Sequence, residues 1–237
     1  MDEIWKVLSE VKEKARVMEL SHLMEEGMPI PGDLSKYYHD LWSSYDLGDG
    51  CLAYQCVLNE HSGTHVDAPA HMLPAKTGRQ IYIHENAADR YCFPCRVMTC
   101  RFKEGQDEIS LEMIRKWEDE AGPVSSGEGV FFYTGWDVYW KIRDPEKRFI
   151  TGWPGLSKAG AEYLAEKGIA AVGTDCLSID SSSSAAPFAH RCLLSHNMPI
   201  FENLANLGRI SGRCFILALP LLIKEGTASP VRVLALL

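Results

Sequence analysis

The sequence predicts an α/β fold in which a mixed, barrel-like sheet carries a few covering helices. Three observations lead there. Segments that read as strands outnumber those that read as helices. Several of those strands are continuously apolar, as strands buried on both faces are. The marks of a doubly wound nucleotide-binding fold are missing: Gly48, Gly50 and Gly63 do not form a dinucleotide fingerprint, and no Walker sequence occurs.

Taken in order, residues 3–18 carry Ile4, Leu8, Val11, Ala15 and Met18 at spacings of three and four with charges between them. That pattern predicts an N-terminal amphipathic helix within residues 1–18, packed on the domain or serving a partner subunit. Cys51–Leu58, Arg96–Phe102, Val130–Thr134, Ile169–Gly173, Phe215–Leu222 and Val231–Leu236 read as strands. Leu111–Glu120 and Lys158–Lys167 read as helices, the second with Ser157 as N-cap and Gly168 as its stop. No repeat, low-complexity tract or linker interrupts residues 1–237, so a single domain is expected.

Composition narrows the function. With 46% hydrophobic and 24% charged residues, the 237-residue chain reads as an ordinary globular domain. Its net charge of −8 argues against nucleic acid or an anionic membrane surface as a partner, because phosphate binding needs clustered Lys and Arg. No apolar run approaches the roughly 20 residues needed to span a bilayer. The opening Met1-Asp-Glu-Ile-Trp-Lys6 lacks the apolar segment of a secretion signal, which predicts a cytoplasmic location. In that reducing setting the eight cysteines read as free thiols, and Cys92-Phe-Pro-Cys95 reads as packed thiols rather than a redox or zinc pair.

The chemistry is concentrated in His61-Ser-Gly-Thr-His65-Val-Asp67-Ala-Pro-Ala-His71, which holds three of the eight histidines. Imidazole and carboxylate together make a ligand set for Zn²⁺, Mn²⁺ or Fe²⁺. Gly63, Thr64, Val66 and Pro69 argue against a helix. In an extended strand His61, His65 and Asp67 would share one face, with Gly63 leaving room for an ion and Pro69 bending His71 toward the same pocket. Completion is expected from Ala189–Leu204, which offers His190, His196 and a Glu202 flanked by Ile200, Phe201 and Leu204. A carboxylate in such apolar surroundings is costly to bury unless paired or coordinated. His196 also suits the end of a short helix. Spacing alone does not choose between the two histidines.

These residues resemble the metal-dependent cyclase family, which includes bacterial kynurenine formamidases and isatin hydrolase-like proteins. The family pattern His-x-Gly-Thr-His-x-Asp-x-Pro-x-His is matched at every fixed position from His61 to His71. Glu19-Leu-Ser-His22, Thr134-Gly-Trp136, Gly152–Ser157, Gly173–Asp180, Ala218-Leu-Pro220 and Ser229-Pro-Val231 are similar to its other blocks. The resemblance implies a swivelling β/β/α fold in homodimers or homotetramers. It implies metal on His61, His65 and Asp67, a second ion on a His and a Glu twelve residues later, here His190 and Glu202, and His71 as acid/base. One or two ions of Zn²⁺ or Mn²⁺ per chain are implied. The family's Pro-x-aromatic-Pro-Gly-Asp is replaced by Pro29-Ile-Pro31-Gly-Asp33, one residue shorter and without the aromatic. That points away from formylkynurenine while leaving hydrolysis in place, with Tyr37, Tyr38, Trp42 or Trp136 as a replacement stacking surface.

The expected activity is hydrolysis of an amide, ester or lactam in a small aromatic or cyclic substrate, with metal-activated water and His71 moving the proton. The competing readings are a non-catalytic metal-binding scaffold and a ring-closing cyclase. A Ser-His-Asp triad built on Ser62 or Ser181–Ser184 is set aside, since no Gly-x-Ser-x-Gly elbow is present.

Overall fold

The computed structural model describes residues 3–103 and 107–237. Its N-terminal half contains α1 (Glu3–Lys14), β1 (Val17–Glu19), β2 (Tyr38–Ser43), β3 (Ala53–Val57), β4 (His65–Asp67) and β5 (Cys92–Thr99). Then come β6 (Glu108–Ile109), α2 (Leu111–Ala121), β7 (Gly129–Tyr133), β8 (Gly155–Leu156), α3 (Lys158–Glu166) and β9 (Val172–Thr174). The chain closes with α4 (Phe188–Ser195), β10 (Ile200–Glu202), β11 (Arg213–Leu217), β12 (Ala228–Pro230) and β13 (Leu234–Leu236).

Nine of these strands form one mixed sheet in the order β1-β13-β11-β5-β7-β9-β10-β4-β12. The run from β5 through β7 and β9 to β10 is parallel, and both flanks are antiparallel. The sheet curls into a half-barrel. Period-two alternation assigns its side chains to two cores. Val66, Phe93, Phe131, Phe201 and Ile216 pack together on one face. Val130, Phe132, Val172 and Ile200 face the other way, against Ile114 of α2, Leu164 of α3 and Leu193 of α4. A mixed, barrel-like sheet with covering helices is therefore what the chain builds.

The helices begin where local chemistry places them. Ser110 and Ser157 cap α2 and α3, accepting bonds from Met113 N and Gly160 N. Gly168, at φ +66°, ends the second one. Several expectations need correction, among them the strands Phe215–Leu222 and Val231–Leu236, which run as Arg213–Leu217 and Leu234–Leu236. The N-terminal helix stops at Lys14, and Met18 is a buried residue of β1 pairing with β13; residues 1 and 2 lie outside the described residues. The expected strand Arg96–Phe102 begins earlier, at Cys92, and includes Pro94. Pro94 is tolerated because β7 pairs only with Cys95–Thr99, so at position 94 that side of the strand has no partner. Ile169–Gly173 shifts forward to Val172–Thr174, and only His65–Asp67 of the histidine motif is a strand.

Cys92 and Cys95 stand three apart on β5 and so on opposite faces. Cys95 is buried opposite Cys214 of β11, and Cys92 lies opposite Leu217. Both are free thiols that do not converge.

A histidine and carboxylate cluster between the sheet and α4

The site is built from β4 outward. β4 lies between β10 and β12, with His65 opposite Glu202 and Pro230, and Asp67 opposite Ile200 and Ala228. His65 and Asp67, two apart, share the face that Glu202 and Ile200 also use. Because Ile200 belongs to the helix-side core, that face looks toward α4. Val66 and Phe201 point into the opposite core and anchor the strand pair. From α4, His190 completes the cluster: its Nε2 is 3.3 Å from Asp67 Oδ2 and 3.1 Å from Glu202 Oε1.

His61 arrives by a different route from the one expected. Gly63 has φ +64°, so residues 61–64 turn instead of extending the strand. The turn sets His61 Nδ1 2.9 Å from Asp67 Oδ1, while its Nε2 lies 3.4 Å from Thr227 Oγ1. A short 3₁₀ turn at Pro69–His71 carries His71 back over the cluster. Its ring centre lies 4.2 Å from that of His61 and 5.8 Å from that of His190. The bend at Pro69 was foreseen; the turn at Gly63 was not.

All six sequence-derived residues therefore meet in one place, and His196 does not. His196 caps the C-terminal end of α4, exposed, with Nδ1 2.9 Å from Cys192 O. Burial separates the six: the side chains of His65, Asp67, His190 and Glu202 are at most 6% exposed and that of His61 is 16% exposed, while His71 is half-buried. Geometrically they form two overlapping triads on Asp67. Ligand atoms of His61, Asp67 and His71 lie within 4.8 Å of one another, as do those of His65, Asp67 and Glu202. His71 is thus close enough to serve as a ligand as well as a proton carrier.

Electrostatics explains how two acids tolerate full burial. Burial alone would raise the Asp67 pKa, but His190, His61 and His65 hold it well below the usual range. Glu202 is also lowered, chiefly by His190 working against burial. In return these carboxylates raise His65 and His190, overcoming desolvation that would lower both. His71 goes the other way: burial lowers it more than Asp67 raises it, which favours the neutral ring.

Several residues that sequence reasoning did not single out position this cluster. Asp180 takes three bonds from the start of α4: from Ala189 N at 2.8 Å, His190 N at 3.1 Å and His190 Nδ1 at 2.6 Å. It thereby sets the His190 tautomer and leaves Nε2 facing the carboxylates. His65 Nδ1 donates to Gly63 O at 2.9 Å, with the same result for its Nε2. Asn203 Nδ2 also donates to Gly63 O, and Thr64 Oγ1 donates to Asn203 O. The available signal was that Asp180 ends the Gly173–Asp180 block.

One feature tests whether a cation suits the cluster. His65 Nε2 and both oxygens of Asp67 are buried without a hydrogen-bond partner, although charged neighbours lie within 4 Å. Buried polar atoms are rarely left so. A cation resolves the mismatch, since it accepts lone pairs that no donor reaches, and the nitrogen and oxygen donor set suits Zn²⁺ or Mn²⁺.

The comparisons agree with this architecture. A family model described as "Putative cyclase" matches residues 18–181. The isatin hydrolase of Roseibium aggregatum is 34% identical over 209 residues, covering 82% of this chain and 78% of that protein. The kynurenine formamidase of Erythrobacter litoralis is 30% identical over 226 residues, covering 95% of each. Among solved structures, an isatin hydrolase bound to the product analogue thioisatinate superposes with a TM-score of 0.88 at 28% identity, covering 100% of this chain and 99% of that one.

Proposed function

The chain belongs to the cyclase family, and on that premise we propose that it is a metal-dependent hydrolase that cleaves an amide bond in a small aromatic or cyclic compound. The relatives named isatin hydrolase and kynurenine formamidase support the bond type. The observation that carries the metal is the set of unpartnered buried atoms on His65 and Asp67. His61, His65 and Asp67 would hold one ion of Zn²⁺ or Mn²⁺, and His190 and Glu202 a second, with Asp67 shared between them. The close approach of His65 to Glu202 supports a site in which all these ligands act together. When bound, such an ion supplies Lewis acidity, polarising a carbonyl and bringing the pKa of water from 15.7 toward about 7.

The chain's own residues do the rest. Asp180 and Gly63 O orient the two buried imidazoles, so that each offers Nε2. The two cores on either side of β4 and β10 exclude bulk water from the carboxylates. His71, less buried and biased to its neutral form, takes a proton from water at a ring nitrogen and returns it to the departing nitrogen. A purely structural ion would need no such neutral, half-exposed base beside it. No helix among the described residues is long and apolar enough to cross a membrane, and the eight free thiols support a reducing, cytoplasmic setting.

We further infer a homo-oligomer. α1 has no buried residue, and the two-stranded sheet of β2 and β3 leaves Leu41, Trp42, Tyr45 and Leu47 in solvent. An isolated hairpin is marginal in water, and exposed apolar surface of this extent fits association with a second copy.

The test pairs metal content with turnover on isatin and aryl formamides. Wild-type protein should carry one or two equivalents of metal, and His65→Ala should lose most of it. His71→Ala should keep its metal yet turn over roughly 10²–10⁴-fold more slowly, the usual contribution of a positioned acid/base. Loss of metal from the His71 variant would make that residue a ligand. Full activity with metal retained would remove the proton carrier from the mechanism.

A further inference from the structure

We propose a binding site for an aromatic carboxylate in a cavity outside the metal centre, formed where residues 26–38 meet residues 141–150. The cavity has a volume of about 450 Å³, within the roughly 300–1,000 Å³ typical of small-molecule sites, and none of the six proposed metal-site residues lines it. Its floor is apolar: Met28, Phe149 and Ile150, the first two buried. Its rim is cationic, carrying Lys36, Lys141, Arg143 and Lys147.

Two facts separate this rim from an ordinary solvated surface. Its two carboxylates are already engaged by backbone donors, Glu26 by His39 N and Asp144 by Glu146 N and Arg148 N. Among the described residues, no ion pair or side-chain hydrogen bond joins the charged ends of Lys36, Lys141, Arg143 or Lys147 to a partner. The neighbouring Arg148, by contrast, lies 4.7 Å from the Tyr139 ring centre and 3.9 Å from Glu146. Four unpaired cations around one apolar floor are notable in a chain of net charge −8.

The backbone also holds two of these cations in place at a conformational cost. Arg143 and Lys147 both sit at φ 51°, the left-handed region that non-glycine residues avoid. Arg143 N donates to Gly27 O at 2.8 Å, and the Arg143 side chain occupies the space a Cβ on Gly27 would need, with Cγ only 2.6 Å from that position. Glycine at 27 is thus what lets the guanidinium stem lie across the pocket mouth.

The occupant follows from these features. An apolar floor takes a ring, and guanidinium and ammonium groups on the rim take an anion. The choice of carboxylate over other anions rests on the proposed reaction, because opening an aromatic lactam leaves a carboxylate on the product that carries the ring. Met28, which lines the cavity, also approaches the histidine motif: its Sδ lies 3.9 Å from the Cβ position of Gly63.

The test is calorimetric titration of the metal-loaded full chain with 2-aminobenzoate, with aniline and acetate as probes lacking the charge or the ring. The expected result is one site per chain for 2-aminobenzoate, with both controls at least about tenfold weaker and with affinity falling as salt rises. Lys141→Gln combined with Arg143→Gln should weaken binding by roughly tenfold or more, with melting temperature and metal content unchanged. Should that pair fold poorly, Lys36→Gln with Lys147→Gln probes the other two rim cations. Binding should persist in metal-free His65→Ala. Loss of binding with the metal would place the carboxylate on the ion and overturn the proposal, as would full affinity in both rim variants or equal affinity for aniline. Binding without turnover on any amide would sink the proposed reaction and leave the pocket standing.

Discussion

The corner where β4, β10 and α4 meet and the hairpin of β2 and β3 break the usual rule of burial in opposite senses. The first buries two carboxylates and two imidazoles almost completely; the second leaves Trp42 and Leu47 each 72% exposed. In the corner, unfavourable burial is compensated in part inside the chain, by ring nitrogens opposed to carboxylate oxygens and by cross-strand register, while the unpartnered atoms of His65 and Asp67 are left for the proposed cation. In the hairpin, Leu41, Trp42, Tyr45 and Leu47 stay exposed, with no cover from the described residues. The contrast teaches that the corner's ring nitrogens and carboxylates largely answer one another within the chain, whereas the hairpin's apolar side chains meet solvent there, as the proposed oligomer requires.

The largest effect should therefore come from the hairpin. Replacing Leu41 and Trp42 by serine removes two large apolar side chains, each worth about 1.5–3 kcal/mol when buried, and a two-fold interface counts each twice. Sedimentation should show the wild type as a dimer or tetramer and the variant shifted to monomer, with bound metal retained. A variant that stays oligomeric would move the interface elsewhere. One that loses its metal along with its partner would overturn the independence of the two regions.

A smaller effect is expected inside the corner. Asp180→Asn keeps the shape but weakens the acceptor that orients His190 through Nδ1. Outer partners of this kind change metal affinity by about 10–100-fold, and the second ion should be the one affected. Competition with a chelator reads that change directly. Unaltered affinity for both ions would reduce Asp180 to a helix cap, a role its bonds to Ala189 N and His190 N also support.

The same contrast explains what was legible in the sequence. The helix at Lys158 was readable because a serine cap and a stop glycine act within one turn of chain, and the structure adds Ser110 as the cap at Leu111. The proposed ligand residues were readable as a cluster because imidazole and carboxylate have few other reasons to gather, and the structure brings them together. The path that joins them was not. Expecting one extended strand from His61 to Asp67 missed the turn at Gly63, because β4 is only three residues long and is defined by pairing with β10 and β12, more than a hundred residues away. Asp180 was overlooked for a related reason: its role appears only when α4 starts against it. His190 and His196 looked alike in sequence because they lie six residues apart near one short helix, and only the helix's orientation separates a histidine buried in the cluster from an exposed cap.

The smallest effect concerns His22, whose backbone N donates to Thr64 Oγ1 at 3.0 Å on the edge of the corner and whose ring packs elsewhere. Its ring stacks on Trp140 with centroids 4.1 Å apart and planes within 9°, meets the Phe149 edge at 6.4 Å, and leaves a buried Nε2 with no partner. The nearby charges Glu19 and Arg232 are paired with one another at 2.7 Å. Burial lowers the His22 pKa from 6.5 to about 4, so the folded state resists protonation. Between those two values the unfolded chain binds more protons than the folded one, and stability must fall as pH drops through the window and level off below it. Allowing for partial exposure, the loss is on the order of 1–2 kcal/mol. His22→Phe keeps an aromatic ring on Trp140 and cannot titrate. In metal-free protein, which removes the pH dependence of the ligands' metal binding, the wild type should lose more melting temperature than this variant between pH 7 and pH 4.5. Equal losses in the two proteins would mean that His22 is protonated as readily in the folded chain as in the unfolded one, and that its ring has a solvated outlet the stacking does not close.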